Sequence, residues 1–414
     1  MTDDGILDEA SLSRYADALV KGCVGLRRGD VLVVQGQPAH RELLVAVAAS
    51  GYRAGARLVD VVYGDPRVTA ARIRYGRPEA MGAVSEWARR RARALVGPDA
   101  AVVSSIGEGD PGVFDGLAPE RIASDQAAAA KTMKSYVKAM LDGRVRWAGA
   151  AWPTDHWAAQ VYPELPVADA KRTLARDLLR FCRLTDEDGA GVSGWTKHVR
   201  GVAARAGRLT KLRLERVELR GPGTELDVRL PPSALWLGGR ERNAYGQMVA
   251  PNMPTEECFT SPEPAATEGT FRCSRPLAFQ GRLLEGLAGE FRGGRLVRLE
   301  AARDQDRDFL AAFLDSDRTA RRLGEIALVD RSSLIGQSGR TYFNTLIDEN
   351  AAAHIAFGAG FANTRARENG KRARAVNNST IHIDVMIGTD DLEATGIGAR
   401  GRRVALIRGG EWQV

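Results

Sequence analysis

The sequence IHIDVMI at residues 381–387 alternates apolar with polar side chains, the pattern of a β-strand that buries one face. Residues two apart in a strand point to the same side, so His382 and Asp384 share a face while the aliphatic residues between them pack behind. A polar pair on an otherwise apolar strand needs a partner, and a metal ion is one such partner. The stretch therefore predicts a sheet that carries a candidate metal site.

Three further stretches of the last third place carboxylates or histidines beside apolar runs: PTEECFT at 254–260, LGEIALV at 323–329 and DENAAAH at 348–354. Mixed sets of histidine and carboxylate suit Zn, Co or Mn better than Mg or Ca. We expect Glu325 at the start of a buried run and His354 on a helix that begins near Asp348. Because no pair has the spacing of a His-Glu-x-x-His helix, each residue taken alone is more simply a surface carboxylate or a core histidine.

The composition is that of a globular protein, with 44% hydrophobic and 27% charged residues, and a length of 414 residues favours two domains. The net charge of +7 raises the possibility of a nucleic-acid partner. The arginines are scattered among acidic residues rather than gathered with aromatic ones, so we expect no nucleic acid. None of the four cysteines has CxxC spacing, which argues against a zinc ribbon and against a disulfide framework.

The first five residues, MTDDG, are acidic and lack the apolar segment of a signal peptide. No apolar stretch reaches the length of a transmembrane helix. We therefore expect a cytoplasmic protein that makes no contact with a membrane.

In the first 200 residues, continuous apolar strands alternate with helices. Buried strands are predicted at 31–34, 58–62 and 100–104, and helices at 41–53, 125–141 and 168–182. This alternation predicts an N-terminal α/β domain, residues 1–200, with a mainly parallel sheet. Residues 36–38 follow the first strand without the GxGxxG pattern, so a Rossmann-type cofactor is not expected.

After about residue 201 the pattern changes to short alternating strands and tight turns. Strands at 211–220 and 225–230 are joined through a Gly-Pro-Gly turn, and Gly293-Gly294 predicts a second hairpin. Residues 308–323 have the spacing of an amphipathic helix. We predict an α+β C-terminal domain, residues 201–414, rich in antiparallel strands and carrying all the metal candidates.

Over nearly its whole length the chain resembles the thermophilic-type metalloaminopeptidase family, the group of aminopeptidase T and aminopeptidase S. The resemblance is carried by the stretches above and by RRGDVLV at 27–33, GPGTEL at 221–226 and NMPTEE at 252–257. It implies an N-terminal α/β domain, a C-terminal metallopeptidase domain and a homodimer. It also implies two divalent ions (Zn, Co or Mn, with Mg as a further option) and peptide or aminoacyl-amide substrates.

Matched motif by motif, the resemblance implies five metal ligands: Glu257, Glu325, His354, His382 and Asp384. Glu256 is then the candidate for a base or an outer-shell group. The family has a further tyrosine ligand seven residues after its histidine, where this chain has Phe361, which offers no oxygen. Tyr342 is a candidate source of a phenol from another segment, although its simpler interpretation is packing.

Three functions are compatible with these features. An active dinuclear aminopeptidase is favoured. Because Phe361 replaces the tyrosine, two alternatives remain. The protein is either a divergent metal-dependent amide hydrolase with a dedicated substrate, for example in a biosynthetic pathway, or a family member with weakened activity. A non-catalytic binding or scaffold protein is disfavoured by five intact ligands, because unused buried carboxylates are costly.

Overall fold

The fold is described from a computed structural model, which covers residues 5–107, 111–189, 191–280, 282–368, 371–372 and 376–414. The chain divides into two compact units, Met1–Lys197 with Arg240–Pro254, and His198–Gly239 with Thr255–Val414. The predicted boundary after residue 200 lies close to the first crossing between the units. Nothing in the sequence pattern indicated that Arg240–Pro254 belongs to the first unit. The acidic start at residues 1–4 lies outside the described residues.

The first unit is built on a parallel sheet. Its strands are β1 (Val31–Gly36), β2 (Leu58–Tyr63), β3 (Ala100–Ile106) and β4 (Arg146–Ala151), with a short fifth strand, Asn252–Met253. The spatial order is β2-β1-β3-β4 followed by the fifth strand, and every pairing is parallel. Leu32, Val33 and Val34 are all buried, as the continuous apolar run predicted. The predicted α/β class of this part of the chain is confirmed.

Helices precede and connect these strands at Glu9–Asp17, Arg41–Arg53, Pro66–Tyr75, Glu86–Ala94, Pro119–Leu141, Asp155–Val161 and Val167–Phe181. The predicted helices are present, and the one expected from residue 125 begins earlier, at Pro119, where proline suits the first turn. The helix Ser193–Lys211 runs from the first unit into the second. No helix in the described ranges is long and apolar enough to cross a membrane.

The second unit contains an eight-stranded antiparallel sheet. In spatial order its strands are Arg295–Glu300, Ala288–Arg292, Thr267–Arg272, Thr224–Arg229, Arg216–Gly221, Glu393–Ile397, Arg403–Arg408 and Glu411–Trp412. The two predicted hairpins are present in it, which confirms the antiparallel character of this part. Two two-stranded ribbons of this unit pair Leu277–Phe279 with Arg282–Leu284 and Arg367–Glu368 with Lys371–Arg372. A third ribbon, Glu241–Arg242 with Met248–Val249, belongs to the first unit.

Two predicted boundaries in this part were wrong. The strand expected from residue 211 starts at Arg216, because the preceding helix continues to Lys211 and Arg213, with a left-handed φ of 48°, turns the chain before the strand begins. The helix expected at 308–323 spans Asp304–Asp315. It ends there because Asp317 accepts hydrogen bonds from the N–H and hydroxyl of Thr319, a turn that competes with helix continuation. Two short helices, Leu334–Gln337 and Thr345–Asp348, complete the described helices.

A second, four-stranded antiparallel sheet carries the candidate site. Its strands are β5 (Cys258–Thr260), β6 (Leu323–Leu328), β7 (His354–Gly358) and β8 (His382–Met386), in that spatial order. One face of this sheet packs into the main hydrophobic core of the unit through Ile326, Leu328, Ile355, Phe357, Ile383 and Val385. The other face holds the polar residues predicted to bind metal.

Candidate metal centre

A row across the four-stranded sheet brings two of the predicted ligands together. Glu325 on β6 lies opposite Ala356 on β7, and Ala356 lies opposite Asp384 on β8. The methyl group of Ala356 separates the two carboxylates and leaves room between them. His382 is two residues from Asp384 on the same strand, so both side chains share this face, as the sequence predicted.

A bulge in β6 decides that Glu325 points to this face. The pairing register shifts between Leu323, which faces Phe357, and Glu325, which faces Ala356. Leu323 therefore packs in the core although it stands only two residues from Glu325. Bulges commonly redirect one side chain in this way next to functional sites.

Glu257 is the residue immediately before β5, and its side chain reaches the site. Cys258, the first residue of that strand, pairs with Leu328 and belongs to the core cluster. Because neighbouring residues of an extended segment point to opposite sides, Glu257 points away from the core. Its Oε2 lies 3.1 Å from the Nε2 of His354.

His354 opens the strand β7; the prediction that it lies on a helix was wrong. The helix Thr345–Asp348 is a single turn that passes into a 3₁₀ turn, Glu349–Ala351, and the chain is extended from Ala352. The run of three alanines favoured a helix by propensity alone, but pairing of residues 354–358 with two neighbouring strands overrides that preference.

The five predicted ligands form two overlapping groups. Glu257, Glu325 and His354 form one, Glu325, His382 and Asp384 form the other, and within each group one ligand atom per residue lies within 4.8 Å of the others. The Nε2 of His382 is 3.3 Å from Glu325 Oε2 and 3.2 Å from Asp384 Oδ1. Glu325 belongs to both groups and is therefore the residue that connects them.

Both histidines are oriented with Nε2 toward the carboxylates. The Nδ1 of His354 lies 3.2 Å from the carbonyl oxygen of Ala352, and the Nδ1 of His382 lies 2.8 Å from that of Ala359. A carbonyl only accepts, so each Nδ1 carries the hydrogen and each Nε2 is available for a cation. Gly358, opposite His382, has a φ of 92°, and a Cβ there would lie 2.0 Å from Ile381 O, so this approach of the strands requires glycine.

The ionisable groups perturb one another strongly because they are buried together. Burial, reinforced by the charges of Glu257 and Asp384, raises the pKa of Glu325 to about 7 against a hydrogen bond from His382. Burial alone would lower the pKa of His354, but the Glu257 hydrogen bond and the nearby carboxylates raise it to about 10. Burial would likewise lower the pKa of His382, but the charges and hydrogen bonds of Asp384 and Glu325 raise it well above its ordinary value. A bound divalent ion would supply the positive charge that these carboxylates favour.

The residues present fit divalent metal ions. Glu257 Oε2 is fully buried and faces the Nε2 of His354 at 3.1 Å; when that imidazole is neutral, with its hydrogen on Nδ1, this oxygen has no hydrogen-bond donor among the described residues. Three buried carboxylates beside the buried imidazole of His354 and the partly exposed one of His382 are costly without a cation. Nitrogen and oxygen donors together suit Zn, Co or Mn.

Phe361 lies at the edge of this site and not on a helix beyond His354. Its ring stands edge-on to the imidazole of His382, with 5.1 Å between ring centres, and edge-on to Phe259 at 5.4 Å. The N–H of Phe361 donates to the hydroxyl of Ser261 at 2.8 Å, which fixes its segment against the residues after β5. The position where the family has a phenol is therefore occupied by an apolar ring that contacts a predicted ligand.

Glu256 and Tyr342 stand apart from the two ligand groups. Glu256 is buried, and its Oε2 lies 3.5 Å from the Nε2 of His198. Tyr342 is completely buried, and its backbone N–H donates to Asp348 Oδ1 at 2.7 Å. The roles assigned to these two residues stay predictions.

Two residues near the site were missed in the sequence. Burial and the charges of Glu257 and Asp384 raise the pKa of Glu349 well above its ordinary value, which places this carboxyl in the electrostatic environment of the ligands. The only sequence feature that could have indicated Glu349 is its position in DEN at 348–350, five residues before His354. His198 carried no signal, because it lies about 60 residues before Glu256 on the polar part of an amphipathic helix.

Known proteins resemble this chain over nearly its whole length. A family model described as thermophilic metalloprotease (M29) matches residues 8–412. Aminopeptidase T of Thermus aquaticus is 33% identical over 407 residues, covering 98% of each chain. Aminopeptidase 2 of Geobacillus stearothermophilus is 32% identical over 413 residues, again covering 98% of each. The solved structure of wild-type AmpT from Thermus thermophilus superposes with a TM-score of 0.88 at 32% identity, covering 98% of this chain and 99% of that one.

The fold and the site define a metallopeptidase, a hydrolase that acts on peptide bonds. The chain belongs to the thermophilic metalloprotease family M29. The family and enzyme class predicted from the sequence are thereby confirmed, as is the fold class. A solved 2,5-dihydroxypyridine dioxygenase from Pseudomonas putida, at 13% identity and a TM-score of 0.54, shares the fold alone.

Proposed function

We propose that this protein is a metal-dependent aminopeptidase that removes N-terminal residues from peptides at a site for two divalent ions. The observation that carries the proposal is the sharing of Glu325 between two ligand groups, each completed by a histidine and a second carboxylate. The aminopeptidase names of the relatives support the choice of substrate.

The side chains of Glu257, Glu325, His354, His382 and Asp384 would hold the divalent ions, which when bound would supply Lewis-acid activation of the scissile carbonyl and a water of lowered pKa. Hydrogen bonds from the Nδ1 atoms fix both imidazoles in the tautomer that leaves Nε2 free. Glu256 is the proposed proton carrier to the leaving amine. Tyr342 is the proposed alternative phenol that assists in place of the residue at 361.

The first test is of metal content and exopeptidase activity. Purified protein should contain up to two divalent ions per chain, and a chelator should abolish hydrolysis of leucyl amide. An N-acetylated substrate should not be cleaved, because an aminopeptidase requires a free α-amine. Intact activity after verified metal removal would refute the proposal.

His382→Ala should remove at least one ion, because it deletes the imidazole of the second ligand group. Elemental analysis of the purified variant checks this, and His156→Ala is a matched control at an exposed helix start. Full metal occupancy in His382→Ala would contradict the ligand assignment.

Phe361 favours one second candidate, an amide hydrolase with a dedicated substrate. Its ring and that of Phe259 form an apolar surface against His382, which would suit one particular side chain. A panel of aminoacyl amides and short peptides distinguishes the two functions. Cleavage of many N-terminal residues supports the aminopeptidase, and activity confined to one amide supports the dedicated hydrolase.

We further propose that the working form is a cytoplasmic homodimer, with Zn, Co or Mn as the preferred ions. The family resemblance supports the assembly, and the nitrogen and oxygen donors support the choice of ions.

A further inference from the structure

Two side chains from distant segments hold a single peptide unit immediately before the ligand Glu257. The Nε2 of His198 lies 2.7 Å from the carbonyl oxygen of Thr255. The N–H of Glu256 donates to the Oδ1 of Asn350 at 2.7 Å. That carbonyl and that N–H belong to the same planar peptide group, so both of its polar ends are fixed.

The hydrogen-bond directions at this peptide are well determined. The Thr255 carbonyl only accepts, so the Nε2 of His198 carries a hydrogen and donates it. The same Nε2 is 3.5 Å from Glu256 Oε2, so one imidazole faces both the backbone and the carboxylate. The amide of Asn350 is held by its Nδ2, which donates to Leu346 O at 3.0 Å, and this leaves Oδ1 as the acceptor for Glu256.

The surroundings allow this segment little freedom. Asn350 is completely buried, and its carbonyl accepts a 2.6 Å hydrogen bond from the hydroxyl of Ser333. On another side, a Cβ on Gly238 would lie 2.3 Å from the carbonyl oxygen of Glu257, so the backbones are in direct contact there. The orientation of the held peptide sets the direction of Glu256 and, one residue later, of Glu257.

We infer that His198 and Asn350 are positioning residues: their hydrogen bonds to the Thr255–Glu256 peptide hold Glu256 beside His198 and direct Glu257 into the metal site. The role rests on the proposed function, since it concerns the same ligands. It also assigns a role to Asn350, the asparagine of the sequence DEN at 348–350, which belongs to neither ligand group.

The central experiment replaces the donor of His198 while keeping an aromatic ring. His198→Phe should speed amide exchange across residues 255–257 in the metal-free protein, measured by hydrogen-exchange mass spectrometry. Zn affinity, measured by chelator competition, should weaken about 10–100-fold, the usual effect of losing an outer-shell partner. The kcat on leucyl amide should fall while KM changes little, because the peptide positions the reacting groups and not the substrate.

Two variants provide the controls. His198→Gln keeps a donor of similar reach and should retain Zn affinity and kcat within a few-fold of wild type. His156→Phe makes the same substitution at an exposed position and should change none of the three measurements. Asn350→Leu should resemble His198→Phe, and the double variant should be less than additive, because both residues act on one peptide.

The inference is overturned if His198→Phe shows the same amide exchange across residues 255–257 and the same Zn affinity as the wild-type protein. If Asn350→Leu does not fold, the comparison of His198→Phe with His198→Gln still decides it. A wild-type protein that binds Zn but cleaves no amide would remove the proposed function. Exchange and Zn affinity in His198→Phe would then decide the positioning role on their own.

Discussion

At the scale of single residues, the properties of the site depend on side chains whose pKa or metal-binding ability is set by the residues in contact with them. Glu325 is shared between two ligand groups and has a raised pKa because it is buried among other carboxylates. Phe361 differs from the family pattern by one oxygen, and its ring touches the imidazole of His382. Single substitutions at such positions separate chemistry from folding.

Phe361→Tyr should raise turnover on simple aminoacyl amides or tighten metal binding. One transition-state hydrogen bond is typically worth ~10²–10³ in rate, and the new hydroxyl is added to a ring already beside a ligand. Leucyl and arginyl amides, with metal content measured in parallel, provide the test. Phe279→Tyr adds the same oxygen in a separate aromatic cluster with Phe309 and Phe313 and is the matched control.

If Phe361 instead shapes a pocket for a special substrate, Phe361→Tyr should leave general activity low and impair the native reaction. Unchanged activity together with unchanged metal occupancy would count against any limiting role for the lost phenol.

His40 predicts a pH dependence of stability that is separate from the metal site. It is fully buried, and burial lowers its pKa to about 4 from an ordinary value of 6.5. Between these values the unfolded chain binds a proton that the folded chain does not, so the free energy of unfolding should fall as the pH drops from about 6.5 to 4. The full effect is on the order of 3 kcal/mol.

Urea unfolding of wild type and His40→Phe across this pH range checks the expectation. In His40→Phe, the free energy of unfolding should no longer show this decrease between about pH 6.5 and 4, whatever the stability of the variant at neutral pH. His156→Phe, at an exposed position, should retain the wild-type slope. Identical slopes in wild type and His40→Phe would show that His40 does not account for the pH dependence.

At the scale of elements, the bulge in β6 decides which face carries Glu325. Gly324 stands at the register shift, and a Cβ there would lie 2.0 Å from the carbonyl oxygen of Ala359. The backbones of β6 and the residues after β7 approach so closely that only glycine fits. The bulge also lets Leu323 remain in the core.

Gly324→Ala should therefore disturb the bulge and weaken both ligand groups, since both contain Glu325. We expect activity to fall about 10–100-fold with reduced Zn affinity, measured by chelator competition and amide hydrolysis. Gly201→Ala is the control: this exposed helical glycine has open space around it, and alanine there should stabilise the helix by ~0.5–1 kcal/mol. Wild-type Zn affinity in Gly324→Ala would contradict this role for the bulge.

At the scale of the whole molecule, the expected assembly is a homodimer. Light scattering at micromolar concentration should give about twice the chain mass of 44.7 kDa. Dilution separates a stable dimer from a transient one, because a weak dimer loses mass as its concentration falls. A mass near that of one chain throughout would remove the homodimer from the proposed function.

The sequence by itself determined the periodicity of the strands and the identity of the candidate ligands. Continuous apolar runs predicted the buried strands β1 and β3, because strands covered on both faces bury most of their side chains. The burial predicted for 58–62 was wrong, because β2 is the edge strand of the sheet and leaves Leu58 and Val61 exposed. Alternation at 381–387 predicted that His382 and Asp384 share a strand face, because the period of a strand is two. The motifs that resemble the family supplied Glu257, Glu325 and His354 as their partners.

Only the tertiary structure decided how these residues meet. In LGEIALV, a regular strand would place Leu323 and Glu325 on one face, and the bulge that separates them depends on contact with a distant backbone. His354 lies in a strand although its alanine-rich approach favours a helix, because pairing with two neighbouring strands outweighs local propensity. His198 meets the peptide before Glu256 only in the folded chain, since the sequence pattern encodes the face of a helix but not the segment that packs against it.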